Sequence, residues 1–125
     1  MENFKIIRKL ESTSSRLSKE EIILNEMKNK NEVFFKGMRL AYNKLLTFGV
    51  KQVPKSESSG NGLEWGEFSQ LADKLILRKL TGHAARDEIL EKMEKSHIDE
   101  WNFFYKRILQ KDMRCGLSEK TINNV

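Results

Sequence analysis

From Phe4 to Ile108 apolar residues recur every three or four positions, and the interruptions fall where a hydroxyl or amide cap, a glycine or the single proline marks a helix end. A chain patterned this way folds as a row of packed helices. The expected fold class is all-α, a compact multi-helix domain of about six to seven helices. The 125 residues, 38% of them hydrophobic, are enough to bury a real core but suit one domain rather than two, so 1–125 is read as a single helical unit.

The elements follow in order. Phe4, Ile7 and Leu10 share one face of a first short helix, ended by Ser12-Thr13-Ser14-Ser15. Ser18 and Glu21 have capping-box spacing, which predicts a second helix starting at Ser18 and carrying Ile22, Ile23 and Met27 inward. Asn31 caps a third, with Phe34, Met38, Ala41 and Leu45 inside and Lys36, Arg39 and Lys44 on the outer side. The segment 52–62, with Pro54 and several Ser and Gly residues, reads as a flexible loop, and Lys51 and Lys55 give it some capacity for anion contact. A fourth helix carries the stripe Trp65, Phe68, Leu71, Ala72, Leu75 and Ile76, read as core.

Two helices of ~14 residues, each ~21 Å long at 1.5 Å per residue, come next. Thr81 is the expected cap of one, and Ser96, with Asp99 at N3, of the other, which carries Trp101, Phe104, Tyr105 and Ile108. A turn this short predicts an antiparallel pair, which brings the chain back near its starting point. Ser118 is the expected cap of a last helix, with Leu117 and Ile122 as a hydrophobic staple.

Two basic stretches run into glycine turns that open helices: Arg78-Lys79-Leu80-Thr81-Gly82 and Lys111-Asp112-Met113-Arg114-Cys115-Gly116-Leu117-Ser118. Amides at a helix start carry partial positive charge, glycine lets an anion approach the backbone, and Lys or Arg supplies a full charge. Each is therefore a candidate phosphate grip, and the antiparallel pair sets both at one end of the domain. No Gly-x-x-x-x-Gly-Lys-Ser/Thr loop occurs, so a nucleoside triphosphate is not the anion expected. A polymer backbone suits the pattern better, bound without reading bases and with strong salt dependence.

The net charge of +5 sits wholly in the first half: 1–62 holds 12 Lys and Arg against 7 Asp and Glu, whereas 63–125 holds 11 against 11. That surplus favours an extended backbone-contacting surface over one concentrated patch. His83 and His97 are the only histidines and Cys115 the only cysteine, and neither clustered carboxylates nor a nucleophile with its base occurs. Catalysis is not expected of this segment. No apolar run approaches the ~20 residues of a membrane span, and no signal-peptide core is present at the start.

Arg78-Lys79-Leu80-Thr81-Gly82-His83-Ala84-Ala85, and Met113-Arg114-Cys115-Gly116-Leu117-Ser118-Glu119-Lys120-Thr121-Ile122, resemble the N-terminal DNA-binding domain of T-even bacteriophage ATP-dependent DNA ligases. The second stretch is also similar to a Leu-Arg-x-Gly-Leu-x-Glu-x-Thr segment of cellular and archaeal ligases, and Lys51-Gln52-Val53-Pro54-Lys55 weakly resembles a Lys-x-x-Pro-Lys stretch of the phage protein. The resemblance covers nearly the whole chain and is strongest from Arg78 onward.

The resemblance implies an all-helical module that packs on the minor-groove side of nicked duplex DNA, holding phosphates on both sides of the break. Thr81, Gly82 and His83 would form one contact, and Arg114, Gly116, Leu117 and Ser118 the other, with Lys79, Lys111 and Lys120 as flanking charges. His83 and Arg86 are more basic than their phage counterparts, and the acidic residues Asp87, Glu88, Glu91 and Glu94 would have to face away from DNA. The adenylated lysine of such ligases lies in a Lys-x-Asp-Gly motif absent here, so the adenylation and OB domains, with their ATP and Mg2+, would lie elsewhere in the parent enzyme. The chain would be an N-terminal piece of a ligase of replication, repair and recombination, monomeric, in the cytoplasm of an infected bacterium. A sliding clamp is a further candidate partner, and no membrane is expected. Two rival classes share parts of the pattern: a free-standing helical DNA-binding regulator, and a clamp-docking module using Phe34-Phe35 or Phe103-Phe104-Tyr105.

Overall fold

The computed structural model describes residues 3–50, 52–115 and 117. The described residues form helices and connecting segments, with no strand among them. The all-α expectation is met.

Helix α1 (Asn3–Ser12) buries Phe4, Ile7 and Leu10, and its end is tied off by Thr13 Oγ1 donating to the Lys9 carbonyl at 2.6 Å. Helix α2 (Arg16–Lys28) starts ahead of the predicted Ser18. Ser15 is the cap, its hydroxyl accepting from the Ser18 amide at 3.4 Å, and an Arg16–Glu20 pair at 3.2 Å spans the added turn. Only Ile23 of α2 is fully buried, and Met27, expected inside, is 43% exposed.

Helix α3 (Glu32–Tyr42) begins as predicted, Asn31 Oδ1 accepting from the Phe34 amide at 3.2 Å. It buries Phe34, Met38 and Ala41 but stops before Leu45, which is exposed. Asn43 Oδ1 turns the chain by accepting from the Leu45 amide at 2.9 Å, and the Lys111 ammonium donates to the carbonyls of Leu40 and Asn43, each at 2.8 Å. A cation at the carbonyl end of a helix is electrostatically favoured. Helix α4 (Trp65–Ile76) buries Phe68, Leu71, Ala72 and Leu75, with Trp65 and Ile76 packed at the edge of the core.

Helix α5 (Gly82–Lys95) and helix α6 complete the described fold. Helix α6 is built from a turn of α-helix (Ile98–Glu100), a π-helical segment (Trp101–Tyr105) and a last α-helical turn (Lys106–Gln110). Its cap is His97 rather than Ser96: Nδ1 accepts from the Asp99 amide at 3.2 Å, while Ser96 is buried at the end of α5. The π segment was not legible in the sequence. It sets Trp101, Phe104 and Tyr105 together inward, where Phe68 and Tyr105 lie 4.4 Å apart by ring centroids.

The expected antiparallel packing of α5 on α6 is corrected. Helix α5 rests on α4, through the buried Ala85 and Ile89 and the ion pairs Lys95–Glu67 (2.7 Å) and Lys74–Glu88 (3.3 Å), whereas α6 packs against α3 and α1. At Gly37 of α3 a Cβ would stand 2.6 Å from Phe104 Cζ, so the approach of α6 requires glycine there. The strap 52–62 is bonded both to α6 and to the end of α5. Its polar backbone is bound along α6: the Trp101 indole donates to the Pro54 carbonyl at 2.9 Å, and Asn102 both accepts from the Ser56 amide (2.7 Å) and donates to its carbonyl (3.1 Å). Gly60 and Gly62 amides donate to the carbonyls of Ser96 and Lys95. The segment read as a flexible loop is fastened to the fold. The predicted last helix, from Ser118, lies outside the described residues.

Candidate nucleic-acid interface

The two basic motifs meet through a third segment, 43–50. Arg78 of the first motif reaches it with Nη1 on the Thr47 carbonyl (3.0 Å) and Nη2 on the Thr47 hydroxyl (2.7 Å). Lys111 of the second motif grips Asn43 and stands over the ring of Phe48, 5.7 Å from its centroid. Two basic residues distant in sequence thus hold neighbouring residues of one loop. A cleft of about 670 Å3 opens beside them, lined from the first motif by Gly82 and from the end of α6 by Gln110, with Arg86, Val53 and Pro54 between. Arg78 and Lys111 thus meet at segment 43–50, while the second glycine of the expected pair, Gly116, lies outside the described residues.

Backbone conformation marks the same residues. Among the described residues, the non-glycine positions with positive φ are Lys30 (54°), Arg78 (60°), Lys111 (57°) and Arg114 (54°). An L-residue in the left-handed region costs about 1 kcal/mol or more, which glycine would avoid. For Arg78 and Lys111 the clasp on 43–50 accounts for the retained side chains. Among the described residues Arg114 has no comparable structural task. Its nearest acid among the described residues is Asp112 at 3.8 Å, and both side chains are mostly exposed, which leaves the guanidinium open to solvent on that side.

The expected contact residues divide accordingly. Lys79, Thr81, Gly82 and His83 are exposed, as is Arg114. Thr81 occupies the cap position of α5 but makes no side-chain cap bond, which leaves its hydroxyl uncommitted to the helix. Gly82 has φ +54°, and nothing lies within 4 Å of where its Cβ would be, so ligand approach is open there. Lys111 and Leu117 are turned inward instead. Lys111 is half-buried in the clasp, and Leu117 packs against the core. Gly116, Ser118 and Lys120 lie outside the described residues.

Lys106 is the residue that sequence reasoning missed. Burial, then repulsion from Arg114, Arg107 and Lys55, lowers its pKa below the usual lysine value, so the second motif carries a concentration of positive charge fed by α6 and the strap. Arg107 beneath it is structural: buried, paired with Glu11 at 3.3 Å, it donates to the Met113 carbonyl at 3.1 Å. The acidic side of α5 is partly neutralised, Glu88 by Lys74, while Asp87, Glu91 and Glu94 point to solvent. Cys115 is buried with its thiol 3.4 Å from the Tyr42 hydroxyl, and burial raises both pKa values, so each keeps its proton.

Comparison with known proteins bears on the same stretch of chain. No protein-family model matches it. The DNA ligase of Enterobacteria phage T4 is 27% identical over 125 residues, spanning 97% of this chain and 25% of that ligase, and the DNA ligase of phage T6 gives the same figures. A solved structure named Pmar-Lig_PreS3 superimposes with a TM-score of 0.96 at 51% identity, over 99% of this chain and 29% of that one. The chain is homologous to DNA ligases. A second structure, Pmar-Lig_Pre., matches at 50% identity with the same TM-score. This ligase-related domain spans about a quarter of the length of the phage ligases it matches. Among its described residues no group of three or more His, Cys, Asp or Glu is placed to hold a metal ion, and no helix is long and apolar enough to cross a membrane.

Proposed function

We propose that this domain binds nicked duplex DNA through backbone phosphates, independently of sequence, as the N-terminal module of an ATP-dependent DNA ligase working in replication, repair and recombination within an infected bacterium. The observation that carries the reading is the joint hold of Arg78 and Lys111 on segment 43–50. It couples the two motifs mechanically. With the clasp fixed, the open amides near Thr81, Gly82 and His83 and the uncommitted guanidinium of Arg114 form two anion-binding points on one surface, supported by Lys79, Lys106 and Lys55. Lys111 and Leu117 serve as the frame of that surface rather than as its contacts.

Phosphate contacts of this kind position a protein on DNA and carry no base information. Their affinity falls steeply with salt, because each neutralised phosphate releases counterion. In this proposal ATP and Mg2+ belong to the remainder of the parent ligase, and no chemical step is placed in this domain. Fluorescence anisotropy with nicked, intact and single-stranded DNA at two salt concentrations tests the proposal. Tightest binding to the nicked duplex, weakened by salt, supports it. Indifference to the nick points to a regulator, and indifference to DNA to a docking module.

A further inference from the structure

The search of the molecule leads to the junction of α2 and α3. Leu17, Leu24 and Met27 are 77%, 49% and 43% exposed. Their spacings of seven and three residues place them on one side of α2, a stripe of the kind that buries itself against a partner. Glu20 on that stripe is already bonded to Arg16. At its end Met27 enters a groove of about 400 Å3, where the half-buried ring of Phe35 meets Lys30, Lys36 and Arg39. None of these three cations has a carboxylate within ion-pair distance among the described residues. Glu32, also at the groove, sits in the first turn of α3, where a carboxylate balances the helix dipole.

Lys30 adds a conformational argument. It occupies the left-handed position just past the end of α2, where glycine is the usual residue, and its side chain is exposed at the groove. The groove runs along α3 from its first turn to Arg39, one residue before Leu40, whose carbonyl Lys111 holds.

We infer that the α2–α3 groove docks an acidic, amphipathic peptide segment of a partner protein, its apolar side chains on Leu24, Met27 and Phe35 and its carboxylates on Lys30, Lys36 and Arg39. Charge complementarity selects the acidic partner. The apolar stripe selects a peptide over nucleic acid, because a sugar-phosphate backbone would satisfy the cations and leave Leu17, Leu24 and Met27 in water.

The test is selection of a displayed random-peptide library on the 125-residue chain, followed by anisotropy with the enriched peptides in synthetic form. The inference expects acid-rich sequences with apolar residues at helical spacing. Their binding should weaken with salt, persist when nicked duplex DNA is added, and drop by about tenfold or more in Arg39→Glu. Met27→Glu should do the same, and Lys36→Glu, on the outer face of α3, replaces it if circular dichroism shows that it does not fold. Absence of enrichment, enrichment of basic or uncharged peptides, or undiminished binding to folded variants overturns the inference. So does displacement by duplex DNA, which would make the groove a nucleic-acid surface, or a concentration-dependent dimer in sedimentation that Met27→Glu abolishes, which would make it a self-contact.

Discussion

The guanidinium of Arg78 closes on both oxygens of Thr47, at 3.0 Å to the carbonyl and 2.7 Å to the hydroxyl, while also donating to the Leu75 carbonyl at 2.6 Å. One side chain thereby joins the end of α4 to the loop that Lys111 holds from the other side. Arg78→Ala should lower unfolding free energy by about 1–2 kcal/mol, the range for charged hydrogen bonds that are partly exposed. Arg78→Lys should recover only part, because a lysine cannot present a fork of donors. Urea denaturation measures both, and an alanine variant as stable as the parent would remove the clasp from the account.

Lys106 reports on the charge gathered at the second motif. Its pKa is lowered first by burial and then by Arg114, Arg107 and Lys55. A phosphate placed among these cations favours the protonated amine, so the Lys106 pKa should rise toward the ordinary value when nicked duplex is added. NMR titration of the side-chain resonances follows it. In Arg114→Ala without DNA the same pKa should rise as well, since one repulsive neighbour is gone.

Much of the fold can be read from local chemistry. The Asn31 cap and the inward stripes of α1, α3 and α4 depend on hydrogen bonds and periodicities contained within a few residues. What could not be read depends on partners far along the chain. Leu45 continues a helical spacing, yet the helix ends earlier because Lys111 and Asn43 satisfy its last carbonyls. The strap 52–62 has the composition of a mobile loop, but Trp101 and Asn102 supply bonds that no local pattern announces, and Tyr105 fixes the residue that follows it by donating to the Leu63 carbonyl at 3.0 Å. His97 rather than Ser96 caps α6, because Ser96 is buried with its hydroxyl donating to the His97 carbonyl at 3.0 Å. For the candidate site, basic residues before glycine turns singled out two segments without separating the inward Lys111 from the outward Arg114. That separation is tertiary.

Cys115 should behave as a shielded thiol. Burial pushes its pKa above the ordinary cysteine value, and at neutral pH it is protonated and out of reach of solvent. Iodoacetamide labelling of the folded domain should be about tenfold or more slower than in urea, and the native rate should climb with pH only above the usual cysteine range. Rapid native labelling would mean that the turn carrying Arg114 is open.

Arg114→Ala should weaken binding to nicked duplex by about 1–2 kcal/mol and reduce the slope of log affinity against log salt by about one, as expected for one lost phosphate contact. Its exposure predicts little change in stability. Anisotropy across a salt series, with denaturation as a control, separates the two effects. Unchanged affinity would take Arg114 out of the interface.

The most direct measurement is an amide NMR titration of the domain with a nicked duplex, followed residue by residue. The account predicts that Lys79, Thr81, Gly82 and His83 shift together with Met113 and Arg114 along one binding curve that added salt abolishes. Shifts confined to one motif, two unrelated curves, or a duplex that leaves both motifs unmoved would contradict it.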